Sequence, residues 1–153
     1  MNAQLQDIAS FRPMSLDDAE AATLIESGIC AFPWSYNNFR DSLHAGYSCW
    51  VCEFSGLVIG YGVVMVAVGE AHLLNLGIAR DWQGKGLGRR FLRHLINLAR
   101  DYRAETMLLE VRPSNLAARQ LYSSTGFTEI AVRKKYYPAE GGREDAVLME
   151  LAL

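Results

Sequence analysis

The segment LLNLGIARDWQGKGLGRR, residues 73–90, joins an apolar strand-like run to a glycine-rich turn and then to a helix. Glycines at positions 84, 86 and 88 remove the Cβ atoms that would keep an anion away from the backbone. The first turn of the following helix leaves N–H groups unpaired beside the positive end of the helix dipole. The segment therefore predicts an anion-binding cradle, whose natural occupant is a phosphate-bearing cofactor.

The spacing of this loop does not fit two common phosphate-binding motifs. A P-loop requires a hydroxyl residue directly after its Gly-Lys pair, but Gly84-Lys85 is followed by Gly86. A dinucleotide fingerprint requires a glycine at the position of Arg89. Taken alone, the segment is also compatible with a glycine-rich loop that only turns the chain into a helix.

The pattern Gln83-x-x-Gly86-x-Gly88 and its flanks resemble the pyrophosphate-binding signature of the GNAT acetyltransferases. This resemblance implies that the cofactor is acetyl-CoA. The loop would hold the pyrophosphate, and backbone atoms of the preceding strand would hold the pantetheine arm. The resemblance assigns these roles to Leu76, Gly77, Ile78, Gln83, Gly84, Lys85, Gly86, Leu87, Gly88 and Arg89. Gly77 departs from the pattern of this family, in which a bulkier residue is expected at that position.

Length and composition indicate one globular domain spanning residues 1–153. The net charge of −2 and the isoelectric point near 5.9 argue against a general nucleic-acid binder but leave room for a basic peptide substrate. The longest apolar stretch, residues 57–68, contains two glycines and is too short to cross a bilayer. The polar N-terminus lacks a signal peptide, so we expect a cytoplasmic protein without a membrane or direct nucleic-acid partner.

The three cysteines do not predict a metal site. Cys49 and Cys52 form a Cys-x-x-Cys pair within an apparent strand, where residues three apart point to opposite faces. No second pair completes a tetrahedral site, and the three histidines lack metal-ligand spacing. We expect buried free thiols and no bound metal.

The order of the predicted elements indicates an α+β fold with a mixed central sheet and flanking helices. The sequence predicts strands at residues 8–12, 48–54, 57–68, 71–78, 107–111, 127–132 and 146–151, and helices at 15–26, 35–46, 86–102 and 115–124. Ser55-Gly56 marks a hairpin, so the sheet begins antiparallel and ends with a βαβ half. Residues 134–145, which contain one proline and two glycines, are predicted to form a mobile loop.

Glu110 interrupts an apolar strand, residues 107–111, where a carboxylate is costly to bury. The strand directly after the cofactor helix is expected to lie beside the cofactor strand. Two interpretations remain open. Glu110 either pairs with Arg112 or a turn amide at a strand end, or it carries a raised pKa and accepts a proton directly or through a water.

Residues 115–122, NLAARQLY, resemble the closing motif of the same superfamily. By that resemblance, Asn115 contacts the cofactor and Tyr122 lies near the CoA sulfur, where it donates a proton to the departing thiolate. The alternative is an ordinary helix aromatic that packs on Leu121 and Phe127.

Three further segments narrow the resemblance to RimI-type ribosomal-protein alanine N-acetyltransferases, and the likeness spans nearly the whole chain. The segments are AFPWS at 31–35, LEVRPSN at 109–115, and YYP followed by GREDA within 136–146. They imply direct attack of the N-terminal amine of a ribosomal protein on the acetyl thioester, with Glu110 as general base and Tyr122 as general acid. Phe32, Trp34, Tyr136 and Tyr137 would wall a slot for this peptide, or would simply pack at an edge.

The acidity of amines favours a protein N-terminus as the acceptor. About a tenth of α-amino groups, with pKa values near 7.7–8.0, are neutral at pH 7, against roughly one lysine in two thousand. A single carboxylate is therefore better suited to deprotonate an α-amino group than a lysine. A GNAT enzyme that acetylates lysine or a small amine remains an alternative, as does a catalytically silent acetyl-CoA sensor, although the presence of both Glu110 and Tyr122 opposes silence.

Overall fold

A computed structural model describes residues 9–153, so the first residue of the strand predicted at 8–12 lies outside the described part. The strands are β1 Ser10–Pro13, β2 Ser48–Phe54, β3 Leu57–Ala67, β4 Glu70–Ile78, β5 Thr106–Val111, β6 Thr128–Ala139 and β7 Gly142–Ala152. The α-helices are α1 Ala19–Ile29, α2 Tyr36–His44, α3 Leu87–Asp101 and α4 Leu116–Thr125. The strands form one sheet in the order β1-β2-β3-β4-β5-β7-β6. This mixed sheet with flanking helices confirms the predicted fold class.

The first four strands form the antiparallel half of the sheet. Ser55 and Gly56, both with positive φ, make the two-residue turn between β2 and β3, as the hairpin signal predicted. The next hairpin turns at Val68 and Gly69, one residue earlier than expected, because both of these residues adopt positive φ. The chain therefore reaches β4 through tight turns that fix the register of this half.

The crossover β4-α3-β5 brings β4 and β5 together as the only parallel pair among the described strands. Their register ends at Leu73 opposite Leu109, although β4 continues to Ile78. A register shift between β3 and β4 falls at the same point: Asn75 lies opposite Val63 and Leu73 lies opposite Val64, which leaves one extra residue in β4. The two strands separate beyond it and open the sheet toward their carboxyl ends.

Each face of the sheet carries its own hydrophobic core. On one face, α3 and α4 contribute Phe91, Leu95 and Tyr122 to a cluster that includes Leu109. On the other face, the helices α1 and α2 cover the first strands, with Phe39 at the centre of that cluster. The alternation of apolar residues in β5 places Leu109 on the first face, so Glu110 points to the second.

The helix ends follow the capping residues with one exception. Ser35 caps α2 by accepting a hydrogen bond from the Asn38 backbone N–H at 3.2 Å, and Gly126 with φ of 112° ends α4. The first helix begins as a 3-10 turn, Leu16–Asp18, and α1 continues to Ile29, about one turn beyond the predicted end. The extension places Glu26 inside the helix, buried against β3.

The prediction of a mobile loop at residues 134–145 is wrong, because these residues form the turn and the adjoining strand ends of a β6–β7 hairpin. Pro138 is compatible with the strand since β6 is an edge of the sheet. A bulge interrupts the ladder between Arg133 and Tyr137. Its backbone is satisfied by side chains instead: the Lys135 N–H donates to Asp145 at 2.9 Å, and Arg143 donates to the Lys135 and Tyr136 carbonyls at 2.8 Å.

Among residues 9–153, no helix is both long enough and apolar enough to cross a membrane. The same residues contain no group of three or more His, Cys, Asp or Glu side chains arranged to hold a metal ion. Cys49 and Cys52 are free and lie in opposite cores, as their spacing predicted. Burial raises the pKa of each thiol to about 11, so both are inert thiols at neutral pH.

Candidate active site

A cavity of about 620 Å³ lies where β4 and β5 separate. Its walls are β4 and β5, the connection between α1 and α2, the start of α4, and the β6–β7 hairpin. The residues predicted from sequence that line it are Phe32, Trp34, Leu76, Glu110, Asn115, Tyr122 and Tyr137. The fold therefore brings both predicted catalytic residues into one cavity with three of the four predicted peptide-binding aromatics.

Glu110 lies between the side chains of His72 and Arg133. Its Oε2 is 2.5 Å from His72 Nε2 on β4, and its Oε1 is 3.9 Å from a guanidinium nitrogen of Arg133 on β6. The Glu110 side chain is only 9% exposed. Arg112, the partner considered at a strand end, pairs instead with Glu144 at 3.2 Å.

The expectation of a raised pKa at Glu110 is wrong. Burial by itself raises the pKa of this carboxyl, but the hydrogen bond and charge of His72 and the charge of Arg133 outweigh burial and lower it. The sequence pattern showed the apolar strand but not the charges facing it. Glu110 is therefore ionised at neutral pH and ready to accept a proton.

Tyr122 is buried on α4, and its ring packs edge-on to Phe127 at 5.8 Å between centroids. Tyr122 therefore does pack on Phe127, as the alternative interpretation expected. Burial raises the pKa of Tyr122 to about 12, and its hydroxyl has no hydrogen-bond partner within residues 9–153. Tyr122 therefore keeps its proton at neutral pH, and it lines the same cavity as Glu110.

The glycine loop fits a pyrophosphate at the start of α3. Gly86 occupies the N-cap position with φ of 83°, and no side chain caps the helix there. The first-turn N–H groups of α3 are thus left for an anion, and the side of Gly84 on which a Cβ would stand is open. The Gln83 side chain donates to the Ile78 carbonyl at 2.9 Å and holds the loop against the end of β4.

The loop does not line the 620 Å³ cavity, which reaches β4 only from Leu73 to Leu76. Gly77 leaves no room for a side chain, because an added Cβ would collide with the Tyr61 hydroxyl. This contact accounts for the small residue where a bulkier one was expected. Asn115 lines the cavity and also caps α4, since its Oδ1 accepts from the Ala118 N–H at 3.2 Å.

The aromatic residues divide into two groups. Phe32, Trp34 and Tyr137 line the cavity, whereas Tyr136 does not and is 41% exposed. Tyr136 packs edge-on to Tyr137 at 4.8 Å and lies under the Arg133 guanidinium at 5.6 Å. Tyr136 lies within the bulge in β6 and does not line the cavity, which the repeated Tyr-Tyr in the sequence did not reveal.

The sequence analysis considered Arg112 only as a partner of Glu110, but this residue joins two walls of the cavity. Its guanidinium carbon lies 4.4 Å from the Tyr137 ring centroid and 5.3 Å from that of Phe32. It also donates to the Pro138 carbonyl at 2.8 Å. One side chain at the end of β5 therefore contacts both the α1–α2 connection and the β6–β7 hairpin.

Glu26 and His72 were missed by the sequence analysis. The buried Glu26 carboxylate lines the cavity and accepts hydrogen bonds from the Tyr61 hydroxyl and from the Trp34 backbone N–H, the latter at 2.9 Å. His72 meets Glu110 across 38 positions of sequence. His72 alternates with buried residues of β4, and this alternation was the available signal in the sequence. It identifies His72 as a neighbour of Glu110 only when the register of β4 with β5 is known.

The chain belongs to the acetyltransferase (GNAT) family, whose sequence model matches residues 14–127. Acetyl-CoA is accordingly its acyl donor. The fold and the glycine loop at the start of α3 agree with this assignment, and the resemblance noted in the sequence is confirmed.

The chain is 40% identical over 136 residues to the [ribosomal protein bS18]-alanine N-acetyltransferase of Escherichia coli K12, covering 89% of this chain and 92% of that one. The crystal structure of the ribosomal-protein-S18-alanine N-acetyltransferase from Escherichia coli superposes with a TM-score of 0.88 at 38% identity, covering 94% of this chain and 93% of the other. A third match is yncA from Salmonella typhimurium, solved with its cofactor acetyl-CoA, with a TM-score of 0.80, 25% identity, and coverage of 95% and 94%.

Proposed function

We propose that this enzyme transfers the acetyl group of acetyl-CoA to the N-terminal α-amino group of a protein, and that its substrate is the N-terminal alanine of a small-subunit ribosomal protein of the bS18 type. The observation that carries the proposal is a cavity that combines an ionised Glu110 and a protonated Tyr122 with aromatic walls. The activity named for the 40% identical Escherichia coli relative supports the choice of substrate.

Bound acetyl-CoA supplies an activated acetyl thioester. Glu110 accepts the proton of the attacking amine, directly or through a water, because its lowered pKa keeps it ionised. Tyr122 donates a proton to the sulfur as negative charge develops there, since its pKa of about 12 keeps it protonated. In this proposal the two residues act in one step, without a covalent enzyme intermediate.

The cavity walls would bind the first residues of an extended peptide. Phe32 and Trp34 lie on one side and Tyr137 on the other, and Arg112 contacts two of the three rings. A ribosomal-protein substrate would place the reaction in the cytoplasm, with no membrane partner and no direct contact to nucleic acid. Acetylation of lysine or of a small amine is the alternative.

Paired peptides distinguish these functions. One peptide carries a free N-terminal alanine, and its twin has a blocked N-terminus and an internal lysine. We expect acetylation of the first only. Equal rates on both peptides would favour a lysine acetyltransferase, and activity on neither peptide but on a free amine would favour a small-molecule enzyme.

Glu110→Gln tests the base on the same free-alanine peptide. Turnover should fall by about 10²- to 10⁴-fold with little change in acetyl-CoA affinity. Glu129→Gln is the matched control, because Glu129 is a surface carboxylate paired with Arg119 at 2.6 Å and should leave turnover unchanged. Wild-type turnover in Glu110→Gln would remove Glu110 from the mechanism.

A further inference from the structure

The side chains of His72 and Glu110 lie on the same face of the sheet, across the β4–β5 pair. His72 lies opposite Leu108 in the parallel register, and Glu110 is the next residue of β5 on that face. Their contact, 2.5 Å between Nε2 and Oε2, is shorter than the 3.9 Å contact between Glu110 and the Arg133 guanidinium. The imidazole is 22% exposed and the carboxylate 9%, so the imidazole is the more accessible of the two groups.

A carboxylate that acts alone at the position of Glu110 meets two chemical problems. A side chain that stays ionised is a weak base, whereas the α-ammonium group it must deprotonate has a pKa near 8. The proton must also leave the buried carboxyl after each turnover. A neighbouring imidazole addresses both problems, because it is a stronger base than a carboxylate and has access to water.

We propose that His72 is a positioning residue that acts through Glu110: it orients the carboxylate and takes over the proton that Glu110 accepts from the amine. This inference rests on the proposed function, in which Glu110 is the base. The proton balance is closed. The N–H bond of the amine breaks and the N–C bond to the acetyl group forms as the C–S bond of the thioester breaks, and Tyr122 gives its proton to the departing sulfur. The amine proton passes through the Glu110 carboxyl to His72 Nε2, and the imidazolium releases one proton to water.

Several other ionisable groups surround the pair. Those on the same strands or lining the cavity include Arg133 and Tyr137 on β6, Glu144 and Glu150 on β7, Glu140 in the turn between them, Glu70 on β4, Arg112 after β5, Tyr122 on α4, Glu26 on α1 and Cys30 after it. Met65, which lies opposite His72 on β3, carries no charge. Of these groups, Arg133 is the one within ion-pair distance of Glu110, and its guanidinium favours the ionised carboxylate.

The transfer requires a neutral imidazole. When the imidazole is already protonated, the pair cannot accept another proton. The rate constant kcat/KM should therefore rise with pH through an acidic limb that belongs to the His72–Glu110 pair. The same peptide is used throughout, so that the titration of its amine contributes equally to every profile.

The test compares His72→Gln with the wild-type enzyme. An amide can donate a hydrogen bond to Glu110 but cannot take up its proton. We expect kcat to fall about 10- to 100-fold, the acidic limb of the pair to disappear from the profile, and the KM for acetyl-CoA to stay unchanged. His44→Gln, at the exposed end of α2, is the control and should keep the wild-type profile.

The outcomes separate this inference from the proposed function. A wild-type rate and pH profile in His72→Gln, with Glu110→Gln inactive, would overturn the role of His72 and keep Glu110 as the base. An active Glu110→Gln would overturn both. Circular dichroism and acetyl-CoA affinity verify folding, and if the Gln variant does not fold, His72→Asn is judged by the same profile.

Discussion

The Tyr122 side chain combines deep burial with a hydroxyl that makes no hydrogen bond to residues 9–153. Removing that hydroxyl should therefore cost little stability, while removing the ring would leave a hole beside Phe127. The conservative change to phenylalanine thus isolates the chemical contribution of one oxygen atom.

In Tyr122→Phe we expect turnover to fall on the order of 10²-fold or more, with little change in melting temperature or acetyl-CoA affinity. Single-turnover acetylation of the free-alanine peptide measures the effect. Tyr102→Phe, which alters an exposed tyrosine at the end of α3, should behave as wild type. Full activity in Tyr122→Phe would leave Tyr122 as a packing residue only.

The ionisation of Asp18 makes the stability of the fold depend on pH, independently of catalysis. Its carboxylate accepts two hydrogen bonds from Arg12, at 2.8 and 2.9 Å, and one from the Ser15 N–H at 2.8 Å. The hydrogen bonds from Arg12, ahead of that from Ser15, lower the pKa of Asp18 to about 2. Because the pKa is lower in the folded state, the stabilisation is complete above the unfolded pKa and is lost as pH falls from about 4 to about 2.

Urea unfolding between pH 2 and 6 should therefore show a loss of about 2 kcal/mol in the wild-type protein that Asp18→Asn lacks. The variant should be the less stable protein at pH 6, and the two curves should converge toward pH 2. Asp41→Asn, which removes an exposed partner of Arg40, should follow the wild-type curve. Parallel curves for Asp18→Asn and wild type would show that the Arg12 pair does not contribute.

Sequence reasoning identified Glu110 from its apolar neighbours but misjudged its pKa. The missing information was the identity of the groups across the sheet, His72 and Arg133, which come from strands far away in sequence. Burial can be predicted from a pattern of neighbours in one strand. The sign of a pKa shift depends on charges that only the folded pairing supplies.

At the scale of elements, the glycine loop illustrates how a turn can be tested without disturbing the rest of the chain. Gly84, with φ of 74°, and Gly69, with φ of 77°, adopt nearly the same left-handed conformation, and an added Cβ meets nothing within 4 Å at either position. Alanine should thus cost each turn a similar amount, about 1 kcal/mol. Only Gly84 lies beside the start of α3.

Gly84→Ala should weaken acetyl-CoA binding several-fold, because its methyl group would stand on the open side of the cradle. Gly69→Ala should bind acetyl-CoA as the wild type does, while both variants lose about 2–4 °C in melting temperature. Calorimetric titration with acetyl-CoA makes the comparison. Equal affinities in the two variants would mean that the loop does not hold the pyrophosphate.

The predicted ends of helices and hairpins were accurate where a few adjacent residues specify them. Ser35 and Gly126 marked helix ends, and Ser55-Gly56 marked a hairpin, because caps and positive-φ turns are properties of a few adjacent residues. The β6–β7 hairpin was misread as a loop. In its bulge, hydrogen bonds to Asp145 and Arg143 of the facing strand replace the missing ladder bonds. Partners on another strand leave no pattern in the local sequence.

At the scale of the whole molecule, the candidate active-site cavity is assembled from segments spread over most of the chain. The apolar periodicities predicted the helices and strands that enclose it, and the resemblance to GNAT acetyltransferases pointed to Glu110 and Tyr122. The roles of Glu26, His72 and Arg112 escaped prediction because they depend on partners 35, 38 and 26 positions away, respectively. Long-range partners follow from register, which the sequence of one chain does not reveal.

The early end of the β4–β5 ladder has a consequence for amide hydrogen exchange. Beyond Leu73, every second peptide group of β4 faces the opening instead of a neighbouring strand, while the groups between them stay paired with β3. In the free enzyme, residues 74–78 should therefore contain two populations of amides, one slow and one fast. Acetyl-CoA should slow the fast population, and unchanged exchange would exclude backbone recognition. A co-substrate held in this way takes the place of a missing strand, so its recognition depends on the backbone of residues 74–78 more than on their side chains.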